Sequence, residues 1–81
     1  MQYLVSEVRG KGLYSSGEAK VFNTISDTIR YFHGVSKNKK QLLGGRELNS
    51  EVLQELLKER LSTVSVFEER NAQRRWTVSA F

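Results

Sequence analysis

His33 is the single histidine of an 81-residue chain without cysteine, and these facts bound the chemistry first. Disulfides and thiolate metal sites are excluded, and only scattered carboxylates remain as metal ligands. Asp27 and His33 would lie nearly two helical turns apart, too loose a pair to orient a serine nucleophile. A histidine at the end of a helix commonly donates to the last free carbonyls instead. Arg9-Gly10-Lys11-Gly12 lacks the GxxxxGK[ST] spacing of a phosphate loop and reads as a hairpin turn. No catalytic residues, metal site or cofactor are expected. The remaining catalytic alternative is a small ribonuclease working with one histidine and arginines.

Binding a polyanion asks for less: cations for phosphates and flat groups for bases. Residues 28–46 carry five basic groups and no acidic one, a local charge of +5. Residues 47–69 carry −4 and residues 70–81 carry +3, against a net charge of +4 for the chain. Such segregation makes a one-sided field if the two basic segments meet. Ser36 is a good helix start, which would put Lys37, Lys39 and Lys40 in a first turn, where the helix dipole disfavours cations. A phosphate seated there would reverse the sign. Lys37, Asn38, Lys39, Lys40 and Arg46 are therefore the expected nucleic-acid contacts, with Arg74 and Arg75 extending the track. Tyr14, Tyr31, Phe67 and Trp76 could stack on bases if exposed, although Trp76 reads as core. Surface aromatics on a sheet would favour single-stranded RNA or DNA.

The elements that must carry these residues follow from periodicity and turn signals. Residues 2–8 read as a strand, 13–15 as its return, and 19–22 as a third strand or a continuation of the second past a bulge at Gly17. A helix over 25–33, capped by Asn23 or Thr24, buries Ile25, Thr28, Ile29 and Phe32 and turns Asp27 and Arg30 outward. Gly34 is its expected stop. A short helix over 37–43 would bury Leu42 and Leu43 and end at Gly44-Gly45. Asn49 should cap the next helix, with Leu48 stapling onto Leu53. Val52, Leu53, Leu56, Leu57 and Leu61 form its apolar face. Strands over 63–69 and 74–81 close the chain, and pairing Glu68 with Arg74 would set Val66 opposite Trp76 and Val64 opposite Val78. The expected fold is α+β, a single domain over 1–81: two β-hairpins forming an antiparallel sheet, packed against two to three helices. No apolar run is long enough to cross a membrane, and the polar N-terminus shows no secretory signal, so a cytoplasmic location is expected.

The order Val21-Phe22-Asn23-Thr24-Ile25-Ser26-Asp27, followed by Gly34-Val35-Ser36-Lys37, resembles the NUMOD1-type helix-turn-helix module attached to homing endonucleases, over about residues 21–43. That resemblance implies a strand with an aromatic, an isoleucine-led helix, a Gly-Val-Ser turn and a basic second helix. It also implies that Ser36, Lys37, Asn38 and Lys40 begin a DNA-contacting helix. In size and style the chain is similar to small phage-encoded regulatory proteins. Two readings follow: a non-catalytic RNA- or DNA-binding protein, or an inhibitor or antitoxin-like protein that blocks a host enzyme or toxin. The second would present its basic patch to an acidic protein surface.

Overall fold

Tyr3, Val5 and Glu7 are buried while Leu4, Ser6 and Val8 are only half-buried, so β1 (Tyr3–Arg9) sends alternate side chains to a covered and an uncovered face. A computed structural model describes residues 1–9, 19–35 and 40–81. After β1 come β2 (Ala19–Phe22), α1 (Ile25–Val35), β3 (Gln41–Leu43), β4 (Arg46–Glu47), α2 (Ser50–Leu56), β5 (Thr63–Glu68) and β6 (Asn71–Ala80). The strands form one six-stranded sheet in the order β2-β1-β6-β5-β3-β4, with every neighbouring pair antiparallel. This corrects the expected plan of two hairpins with two to three helices: among the described residues the six-stranded sheet dominates, joined by two short helices.

Both helices pack on the same face. Ile29 and Phe32 of α1 and Val52 and Leu53 of α2 share one core with Tyr3, Val5, Val66, Trp76 and Val78. The Phe32 and Trp76 rings meet edge to face, with centroids 5.3 Å apart, a geometry the ring quadrupoles favour. The expected register of the last two strands is present, with Val66 opposite Trp76 and Val64 opposite Val78. It shifts at Phe67/Glu68, so Glu68 faces Asn71 along the backbone rather than Arg74.

Three local expectations change. Gln41–Leu43 form a strand, not the end of a helix over 37–43. Gly44 and Gly45 have φ of +60° and +82° and join Leu43 to its partner Arg46, the two-residue hairpin turn that needs positive φ at both positions. Leu42 and Leu43 then point to opposite faces, and pairing of β3 with β5 decides the conformation that so short an apolar run leaves open. Gly34 does not stop α1; it lies inside the helix, which runs on to Val35 and packs that residue against the core. α2 stops at Leu56 rather than reaching Leu61, and Leu56 and Leu61 are both exposed. Thr24 and Asn49 do cap their helices, accepting from the Asp27 and Val52 amides as hydroxyl and amide caps should. The strand expected at 13–15 lies outside the described residues.

Candidate nucleic-acid interface

Strand alternation separates the two arginines that the sequence puts side by side. Arg74 points to the helix-covered face, where its Nε lies 2.9 Å from Glu7 Oε1 and its Nη1 2.8 Å from Glu68 Oε2. Nη1 also donates to the last helical carbonyl of α1, Val35 O, at 3.5 Å. The side chain of Arg74 is 23% exposed, and both carboxylates are buried. Burial works against the charged guanidinium, but hydrogen bonds and attraction from Glu7 and Glu68 together outweigh it and hold its pKa above the ordinary arginine value. The guanidinium also stands 5.0 Å from the centroid of the Trp76 ring, a cation–π contact. This cluster binds α1 to the sheet and leaves Arg74 little to offer a ligand.

Arg75 takes the other direction. It is exposed on the helix-free face, directly opposite Phe67 on β5 and Val8 on β1. Among the described residues it has no ion-pair partner. The row below it, Ser6–Thr77–Ser65, is made of hydroxyls, and the next contains Leu4, Ser79 and Thr63. Thr63 Oγ1 and Ser79 Oγ lie 3.0 Å apart and satisfy each other. Ala80 is buried and the Gln2 and Phe81 backbones exchange both hydrogen bonds. The alternation therefore continues to Phe81 and puts its ring on the helix-free side.

The remaining expected contacts divide between the faces. Lys40 precedes β3 on the side of Leu42, and its Nζ is 3.9 Å from Glu47 Oε2, so it borders the helix-free face. Arg46 lies on the opposite side, 4.0 Å from Glu55 of α2. Both are exposed pairs whose partners are readily exchanged for solvent or another anion. Lys37, Asn38 and Lys39 lie outside the described residues. The structure thus brings Lys40 and Arg75 to one side and sends Arg46 and Arg74 to the other. For Lys40, which leads into a strand, the argument from a helix's positive end does not hold. His33 is exposed on α1, across the sheet from Arg75. Among the described residues no three histidine, cysteine or acidic side chains gather as metal ligands, and no helix is long and apolar enough to cross a membrane.

Phe81 and the hydroxyls of Ser65 and Thr77 were not among the residues expected at the site. Their signal was the period of two in Thr63-Val64-Ser65-Val66-Phe67 and Trp76-Thr77-Val78-Ser79-Ala80-Phe81, which lines up the polar and the buried side chains on opposite faces. No protein-family model, curated protein or solved structure matches this chain.

Proposed function

We propose that the protein binds nucleic acid without catalysis, through the helix-free face of its sheet, with Arg75 and Lys40 supplying the phosphate contacts. The observation that carries this reading is Arg75, an exposed guanidinium on an interior strand with no acidic partner among the described residues. Exposed acidic groups lie mostly on the helix side, where Asp27, Glu51 and Glu55 project from α1 and α2. An approaching polyanion therefore meets its least repulsion on the sheet. Lys37, Asn38 and Lys39 belong to the same reading, because they lead directly into Lys40 along the chain.

The test is an absorbance spectrum of the purified protein followed by filter binding across a salt series. The expected result is copurifying material absorbing at 260 nm and an affinity that falls steeply with salt. Arg75→Ala combined with Lys40→Ala should weaken binding and flatten that dependence by about two phosphate contacts. An unchanged affinity in the double variant removes this site.

A second reading, an inhibitor of a host enzyme or toxin, is favoured by the edge of β2. Ala19, Lys20 and Val21 are exposed there and no strand among the described residues covers them, so a partner's strand could extend the sheet. It predicts a spectrum free of nucleic acid and a stable complex with one protein. By contrast β4, the other edge, has only two residues, both charged and ion-paired, which discourages strand addition.

A further inference from the structure

We infer that the ligand of the helix-free face is a single strand with unpaired bases, laid along β6 between Phe67 and Phe81; this rests on the nucleic-acid reading above and gives its substrate class. The described residues of the face supply few cations to hold a duplex by its backbone. Among the described side chains Arg75 is the one charged group its interior strands turn to this face, and Lys40 and Glu47 border it as a pair. A duplex presents paired phosphate ridges and hidden base faces, and both described helices pack on the opposite face, so neither can enter a groove from this one.

What the face does offer is flat apolar groups and hydroxyls. Every other described aromatic is buried or half-buried, while Phe67 and Phe81, 37% and 44% exposed, both emerge on this side. Phe67 stands directly across from Arg75, which puts their Cβ atoms about 5 Å apart. A base lying on the Phe67 ring can therefore also meet the guanidinium, by stacking on its plane or through its own phosphate. From the Arg75 position to Phe81 is six residues of extended chain, roughly 20 Å, long enough for about three nucleotides. Between the rings lie Ser65 and Thr77, opposite each other, whose hydroxyls are both donors and acceptors for base edges or a ribose 2′-hydroxyl.

Fluorescence anisotropy on the full chain tests this, using labelled twelve-nucleotide oligo-uridine, oligo-thymidine and a mixed-sequence duplex. Single strands should bind at least tenfold more tightly than the duplex. Phe67→Ala should weaken single-strand binding about tenfold, Phe67→Trp should restore it, and neither should change duplex binding. A preference for oligo-uridine over oligo-thymidine would assign the hydroxyls to the ribose, and equal affinities would assign them to the bases; either supports the inference. Duplex binding as tight as single-strand binding, with Phe67→Ala neutral, overturns the inference and leaves the nucleic-acid reading standing. Binding to none of the three probes overturns both. Phe67 is outside the core, so an unchanged melting temperature separates loss of the stacking surface from loss of fold.

Discussion

Arg74 and Arg75 are neighbours in β6 whose guanidiniums leave the sheet in opposite directions, one between two buried carboxylates and the other into solvent beside Phe67. A pair of adjacent arginines looks like one patch in a sequence. On a strand it is two sites with unrelated duties, because successive side chains alternate.

Stability should separate them. Arg74→Ala removes the cation between Glu7 and Glu68, and breaking a buried ion pair from one side costs about 3 kcal/mol or more. In a domain of this size that lowers the melting temperature by roughly 12 °C or more. Arg75→Ala should change stability by no more than about 0.5 kcal/mol. Urea titrations of the two variants check this, and equal effects would show that the face assignment is wrong.

The alkaline behaviour of Arg74 has a definite sign. Its folded pKa is raised by Glu7 and Glu68 against the cost of burial. Its contribution is therefore complete from neutral pH up to the ordinary arginine value and is lost on the alkaline side only as pH climbs through the raised one. The stability gap between Arg74→Ala and the unaltered protein should stay constant from neutral pH into the alkaline range. A gap that closes just above neutrality would mean that another group carries the effect.

The glycines make opposite predictions. Gly44 and Gly45 have positive φ with open space where a Cβ would go, so Gly44→Ala or Gly45→Ala costs only backbone strain, about 1–2 kcal/mol. Gly34 lies within α1, also with open space around it. Gly34→Ala should stabilise the fold by roughly 0.5–1 kcal/mol, through helix propensity and a less flexible unfolded chain. Thermal denaturation of the three variants should show two melting points down and one up.

These glycines also mark where the sequence was legible and where it was not. Asn49 and Thr24 announced their helices because capping is local chemistry, confined to one residue and the amides just after it. The pairing of Val66 with Trp76 and Val64 with Val78 was legible because a one-residue slip would expose the whole apolar face. Gln41, Leu42 and Leu43 were not, since three residues fit either period. Their state is fixed by Glu68 and Phe67, distant in the chain. Gly44-Gly45 carried a hairpin signal that a helix stop also explains. At the site, charge counting put Arg74 and Arg75 on one track, whereas strand alternation places Arg74 with the core and Arg75 on the uncovered face.

Asn49 tests how much of α2 rests on its cap. Its Oδ1 accepts from the Val52 amide at 2.9 Å, and a helix of seven residues has little propensity of its own to draw on. Asn49→Ala should cost about 1 kcal/mol, and Asn49→Asp should keep most of the stability. Amide hydrogen exchange should show the loss first at Val52 and Leu53. If those amides keep their protection, packing of Leu53 in the core holds the helix without the cap.

Leu61 is left-handed, with φ of +69°, and its side chain is 84% exposed. Its amide donates to Ala80 O at 2.6 Å, and the Ala80 amide donates to Ser62 O at 2.9 Å. Leu61 and Ser62, just ahead of β5, thus both oppose Ala80 of β6, a bulge-like pairing whose left-handed position normally belongs to glycine. A leucine there bears about 1–2 kcal/mol of backbone strain and gains almost no burial in return. Leu61→Gly removes the strain but adds freedom to the unfolded chain, roughly 0.5–1 kcal/mol, so a net gain of about 0.5–1 kcal/mol is expected. Leu61→Asn should also stabilise, since asparagine tolerates this conformation, while Leu61→Val should destabilise because branching at Cβ aggravates the clash. Urea midpoints ordered Gly and Asn above Leu, and Leu above Val, are the expected result. A midpoint for Leu61→Gly below that of the unaltered protein would show that the leucine side chain makes contacts worth more than the strain it carries.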